Sequence, residues 1–347
     1  MGRPLAAGAL VLVSIGVTLA GMETGARFLA DPTGGNRELF GQGAQARASS
    51  VHMAADDPEL VYVNRPGYVT NGVRIIEAHG IVRETDVTPE KPAGVFRIAV
   101  LGDSIAAAHP VRVGHEPSFS DELERLLNER AGGPQFEVLN FGTDGYGTPE
   151  EARLLETHVA RFDPDLVLVQ YCLNDPATSY TPTVWFLEGK EPASYLLDLV
   201  RRRLGYTPSE IHPAHVRYTH GTIEWRRLYD GNGLAWPKVL RGFARIESWA
   251  RTRNVPVALA LFPLLLDARA SESDRALMPE IYAQVRNAAA ARGFRVIDLE
   301  PAFAGQDPAA MRLLPEDPIH PGALGHRLAA QAIAAALDLG PAAPAEP

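Results

Sequence analysis

The sequence has a single cysteine, Cys172. An intrachain disulfide is excluded, and so is a zinc site built on cysteines. Cys172 lies inside an apolar run, where a small buried core residue is expected rather than a nucleophile. Clustered positive charge is also scarce. The formal net charge is −9, and the basic runs Arg201-Arg202-Arg203 and Arg226-Arg227 are short. This argues against a nucleic-acid partner, whose phosphates demand grouped Lys and Arg. Charge of either sign is missing from Pro4 to Met22, nineteen residues rich in Ala, Leu and Val that follow Arg3. That length is close to the roughly 20 residues a spanning helix needs. Positive charge before such a run keeps the N-terminus cytoplasmic. Residues 1–25 are therefore expected to be a single-pass anchor in the cytoplasmic (inner) membrane, with the rest of the chain extracytoplasmic. The alternative is a signal peptide cleaved after Thr18-Leu19-Ala20, which gives a secreted or periplasmic protein. No cysteine follows the run to carry a lipid.

What is present is ordinary globular material. With 347 residues, 46% of them hydrophobic and 22% charged, the chain suffices for one large domain or two small ones. Residues 26–58, rich in Gly, Ala, Ser, Gln and Asp, read as a linker. Residues 59–95 read as a lead-in of short strands or loops. The main domain spans 96–339, and 340–347 form a disordered tail.

Within the main domain, apolar runs of strand length recur at 97–102, 136–142, 166–172, 255–262 and 294–299. They lack polar alternation, as expected of parallel strands buried on both faces. Helical periodicity lies between them. "SFSDELERLLNER" puts Phe119, Leu123, Leu126 and Leu127 on one face, with Ser118 or Ser120 as cap. "TPEEARLLETHVARF" opens with Thr148 as N-cap and Pro149 at the first helical position. The expected fold is α/β: a three-layer α/β/α sandwich around a mainly parallel five-stranded sheet. Ligands of such sheets bind at the carboxyl ends of the strands, where Ser104, Gly142 and Asn174 fall. Residues 176–236 interrupt the pattern as a long insertion. It carries Tyr180, Trp185, Phe186, Tyr195, Tyr206, Tyr218, Trp225, Tyr229 and Trp236. A lid or substrate wall and a satellite core are equally good readings of it.

Ser104, in "VLGDSIAAAHP", is a candidate nucleophile, and serine needs a base. "LPEDPIHPGALGH" supplies Asp317 and His320, each before a proline that favours extended backbone. At that spacing a carboxylate can reach the nearer imidazole nitrogen and leave the other for a hydroxyl, the logic of a Ser-His-Asp triad. Acyl transfer also needs oxyanion donors. The backbone N–H groups of Gly142 and Ser104 and the side-chain amide of Asn174 are candidates.

The order Gly-Asp-Ser, Asn-Phe-Gly, Asn-Asp and Asp-x-x-His-Pro resembles the SGNH (GDSL-type) hydrolases, in their bacterial membrane-anchored or secreted branch. The matching blocks spread over residues 96–338. Cys172 stands where the family usually has glycine, and Ile105-Ala106-Ala107-Ala108 replaces a leucine or phenylalanine followed by a hydroxyl residue. The resemblance implies a flavodoxin-like sheet and cofactor-free ester chemistry, with no metal. It implies Ser104 as nucleophile, His320 as base, Asp317 as its partner, and Ser104, Gly142 and Asn174 as oxyanion donors. Asp103 would support the nucleophile loop. The expected activity is a serine esterase acting on O-acyl esters, O-acetyl included, in an acylated glycan or lipid.

Two other readings compete with this one. The same triad serves an extracytoplasmic O-acyltransferase that modifies an envelope polysaccharide. A membrane-tethered binding module without catalysis is the other, although no key residue is missing. His212, His215 and His220 crowd "HPAHVRYTH", but Pro213 argues against a regular helix presenting them to a metal. His109 and His115 follow the nucleophile and stand as candidates for the pocket border.

Overall fold

Five strands align into one sheet whose central members are runs of Val, Leu and Ala too apolar to leave either face in water. The computed structural model describes residues 14, 16–26, 51–57, 59–60, 62–130, 133–176, 194, 196, 197, 200, 225–233, 235–315 and 317–339. The strands are β1 (Val95–Leu101), β2 (Gln135–Asn140), β3 (Leu166–Tyr171), β4 (Val257–Leu261) and β5 (Arg295–Asp298). They lie in the order β2-β1-β3-β4-β5, and every pairing is parallel. This is the doubly wound order with its switch point beside β1, as the sequence pattern predicts. β3 and β4 are buried along their whole length.

Helices cover both faces. α1 (Ser104–Ala107), α2 (Phe119–Asn128), α3 (Thr148–Thr157), α4 (Ala235–Arg253), α5 (Glu272–Ala290) and α6 (Ala323–Leu337) follow in chain order. α3 packs on α4, and α2 packs on α6. Ser118 caps α2 in a capping box with Asp121. The expected start of α3 moves back by one residue. Gly147, in extended backbone, is the N-cap, and Thr148 is already inside the helix, its hydroxyl donating to Asp175.

The chain forms two compact units, residues 63–179 with 214–347 and residues 1–62 with 180–213. The larger contains the sheet. It also takes in the lead-in from residue 63 onward, where Ile75, Ile76, Ile81 and Val82 are buried. In the smaller, residues 16–26 are helical, and Glu23 Oε2 accepts from Ser194 Oγ at 2.7 Å and Leu196 N–H at 3.0 Å. Among the described residues no helix is long and apolar enough to cross a membrane, and residues 4–13 and 15 of the uncharged run lie outside them.

Much of the insertion also lies outside the described residues, including Tyr180, Trp185, Phe186, Tyr195, Tyr206, Tyr218, His212, His215 and His220. So do most of the linker, residues 27–50, and the tail from residue 340. Its C-terminal part is core. Trp225, Tyr229 and Trp236 are buried, and the Tyr229 hydroxyl donates to Leu173 O at 3.0 Å.

Candidate active site

β1 ends at Leu101, and Gly102-Asp103 turn the chain into α1. Asp103 caps that helix, its Oδ1 accepting Ile105 N–H at 2.9 Å. Gln170 Oε1, reaching over from β3, accepts the N–H groups of Asp103 at 3.1 Å and Ala106 at 3.2 Å. The elbow is thus pinned by its neighbouring strand. Ser104 is the first residue of α1, where a backbone N–H has no intrahelical acceptor.

The loop before α6 brings Asp317 and His320. Buried Arg312 donates to Leu265 O at 3.0 Å, Asp267 at 2.8 Å and Pro315 O at 2.8 Å. Backbone bonds from Leu265 N–H to Pro318 O, 2.7 Å, and from Leu313 N–H to His320 O, 2.9 Å, complete the clamp. Asp317 Oδ1 accepts the N–H groups of Ile319 at 2.9 Å and His320 at 3.2 Å. Its Oδ2 lies 2.6 Å from His320 Nδ1, and His320 Nε2 lies 2.7 Å from Ser104 Oγ. An ionised carboxylate only accepts, so Nδ1 carries the hydrogen and Nε2 faces the hydroxyl as an acceptor. Ser104 is therefore joined in one hydrogen-bonded line to His320 and Asp317, which lie more than two hundred residues further along the chain.

Electrostatics fit this line. Burial pulls the His320 imidazole down, but the hydrogen bond and charge of Asp317 outweigh it and hold the ring above its ordinary value. Burial pushes Asp317 up, and the His320 hydrogen bond and charge more than reverse that. Asp103 is fully enclosed, and burial holds its carboxyl above the usual range despite the Ile105 N–H bond.

Asn174 follows β3. Its Nδ2 donates to Asp103 Oδ2 at 3.1 Å, which leaves the second amide hydrogen for another acceptor. The residue capping α1 thus also orients this amide. Asp175 ties the same loop to α3, its Oδ2 accepting Thr148 N–H at 3.2 Å.

Gly142 does not present its N–H as the sequence reading expects. That N–H donates to Asn140 Oδ1 at 2.8 Å. The glycine is there for close approach, since a Cβ on it would lie 2.5 Å from Ala107 N. Gly145 lies three residues on. It has φ +75° in a turn closed by Tyr146 N–H to Thr143 O at 3.1 Å. Its N–H has no acceptor among the described residues. The Asp144-Gly145 dipeptide, a turn signal that calls for positive φ, marks it in the sequence.

Cys172 is buried, and burial pushes its thiol up, as suits a core residue. His115 is exposed. Among the described residues no three His, Cys, Asp or Glu side chains are grouped to hold a metal ion.

The family model of the GDSL-like lipase/acylhydrolase family matches residues 100–328. No curated protein matches the chain. Similar solved structures include an α/β hydrolase from the metagenome of Lake Arreo, Spain. It is 17% identical at a TM-score of 0.46, with 70% of this chain and 94% of that one covered. An acetylxylan esterase from Geobacillus stearothermophilus is 17% identical at a TM-score of 0.43, with 70% and 94% covered. A further acetyl xylan esterase is 17% identical at a TM-score of 0.43, with 70% and 100% covered. The match from residue 100 to residue 328 takes in all four sequence blocks of the site, from the Gly102-Asp103-Ser104 turn to the start of α6. The chain belongs to the GDSL-like lipase/acylhydrolase family, and it is an ester-bond hydrolase.

Proposed function

We propose that the protein is a serine esterase that removes O-acyl groups through an acyl-enzyme on Ser104. The observation that carries this reading is the continuous line Asp317–His320–Ser104 at 2.6 and 2.7 Å. His320 Nε2 takes the hydroxyl proton as Ser104 Oγ bonds to the ester carbonyl carbon. The carbonyl electrons move onto oxygen. The resulting oxyanion is received by the N–H of Ser104, the free amide hydrogen of Asn174 and the N–H of Gly145, which replaces Gly142 in this role. The tetrahedral centre collapses, and the alcohol leaves with the proton held by His320. Water then gives a proton to His320 as its oxygen bonds to the acyl carbon; the second tetrahedral centre collapses, Ser104 Oγ leaves with that proton from His320, and the acid is released. Asp317 keeps the ring in the needed tautomer and balances the imidazolium charge.

The Pro4–Met22 run supports a further proposal, that the enzyme acts outside the cytoplasm, tethered by its N-terminus. Fractionation of expressing cells tests it, and full-length enzyme recovered in the cytosol would end it.

The esterase reading is tested by intact-mass analysis of the full chain after a small fluorophosphonate. One adduct is expected, and none with Ser104→Ala. A folded wild-type chain that takes no adduct would refute it.

A further inference from the structure

The Gly142–Thr143 peptide is gripped at both of its polar atoms. Its N–H, on Thr143, donates at 3.0 Å to the carbonyl of Gly102, two residues before the nucleophile. Its C=O, on Gly142, accepts from Asn64 Nδ2 at 2.8 Å. Rotation of this peptide plane breaks both bonds together and carries the following Thr143–Tyr146 turn, with Gly145 in it, out of place. Phe141 N–H to Val100 O at 2.8 Å restrains the same loop from β1. Asn64 comes from outside residues 100–328, as does Val82, whose N–H donates to Asn140 O at 2.7 Å.

Asn64 is built in rather than brushing past. It is 5% exposed, and its amide also donates to Gly80 O at 3.2 Å. Its Oδ1 is buried without a partner, so the amide is oriented wholly by the two carbonyls it serves. Reversing it would set oxygen against oxygen. The segment behind it is held by Gly67 N–H to Glu77 O at 3.0 Å and Glu77 N–H to Ile81 O at 2.9 Å, around buried Ile75, Ile76 and Ile81.

We infer that Asn64 is a positioning residue for the reaction. Its amide fixes the Gly142–Thr143 peptide and thereby the Gly145 N–H, so the lead-in segment is a working part of the enzyme. The inference rests on the oxyanion reading above. Asn64 touches no reacting atom, and it acts on the oxyanion donor rather than on substrate binding.

The test uses the full chain with Asn64→Ala and the same-sized Asn64→Asp, read by steady-state kinetics on an activated ester and by the rate of fluorophosphonate labelling. Asn64→Ala is expected to lower kcat about 10- to 100-fold, less than outright loss of one oxyanion donor. KM should stay within about twofold, and labelling should slow in parallel. For Asn64→Asp, the carboxylate cannot donate and the protonated acid can. The ratio of its kcat to that of wild type should therefore climb as pH falls, which a merely structural contact does not produce. Should Asn64→Ala not fold, Asn64→Asp decides by the same readouts. If both folded variants keep wild-type kcat and labelling, or change KM alone, the inference is wrong while the esterase reading stands. A wild-type chain that is itself not labelled removes the reading and the inference together.

Discussion

Replacing Asp317 by asparagine removes one charge and leaves the shape. The two oxygens of Asp317 do different work. Oδ1 receives two backbone N–H groups, from Ile319 and His320, and Oδ2 faces His320 Nδ1. The amide oxygen of the variant must stay with the two donors, so its NH2 takes the Oδ2 position and points at Nδ1. Two donors cannot face each other there. The ring therefore moves its hydrogen to Nε2, which then meets the Ser104 hydroxyl as a donor and cannot take its proton. Loss of a hydrogen bond to a charged group costs about 1.5–3 kcal/mol, and the tautomer switch adds a comparable amount. A total of roughly 4 kcal/mol corresponds to about a thousandfold in kcat. The same change in a serine protease triad costs about 10⁴. Asp317→Ala removes the acceptor without forcing a tautomer. The ordering expected in kcat on an activated ester is wild type, then Asp317→Ala, then Asp317→Asn, with all three folded by circular dichroism. An Asp317→Asn enzyme within tenfold of wild type, or clearly faster than Asp317→Ala, would refute the tautomer argument.

Further outcomes follow from the same geometry. Asn174→Ala removes an oxyanion donor and should lower kcat about 100- to 1000-fold with little change in melting temperature; an unchanged kcat removes Asn174 from the mechanism. His320 must be neutral to accept a proton, and Asp317 holds it above its ordinary value against burial. The acid limb of kcat/KM should therefore lie above the ordinary imidazole value of about 6.5, and a limb below it contradicts the assignment. Glu151 is buried with both carboxylate oxygens unpartnered, and burial, then the nearby Asp175, Asp103 and Glu150 charges, push it well up. A carboxyl raised in the folded state binds more protons there than in the unfolded chain. Its contribution is thus intact below the ordinary carboxylate range and is lost as pH rises toward the folded value, at up to ~1.4 kcal/mol per pH unit. Glu151→Gln should flatten the fall of melting temperature as pH rises above the ordinary carboxylate range, as measured by calorimetry, and parallel curves for the two proteins would rule that out.

The parts of the molecule that run along the chain were legible in it. The central strands β3 and β4 are almost wholly apolar runs buried along their length, while the edge strands β2 and β5 carry Gln135, Glu137, Arg295 and Asp298 where burial is partial. Asp317 and His320 were legible from their spacing of three beside prolines, although the backbone between them bends and Asp317 Oδ1 accepts the Ile319 and His320 N–H groups, where an extended loop was expected. The contacts that cross the chain were not. Gly142 follows a strand, as an oxyanion glycine should, but the Asn140 side chain folds back two residues to take its N–H. Positive φ at Gly145 is fixed by a turn, and only the Asp-Gly pair hints at it. Thr148 has the chemistry of a cap, yet Asp175, far along the sequence, claims its hydroxyl. Asn64 reaches Gly142 across 78 residues. No periodicity encodes such a bond, because it depends on where the lead-in folds rather than on its local composition.

The central claim is that Ser104 itself becomes acylated. The direct measurement is rapid acid quenching of the full chain with an activated acetyl ester, followed by peptide mass spectrometry. A transient acetyl group on the peptide containing Ser104, absent from Ser104→Ala, is the predicted result. Steady ester turnover with no acetylated Ser104 at any time, or equal turnover by Ser104→Ala, would contradict it.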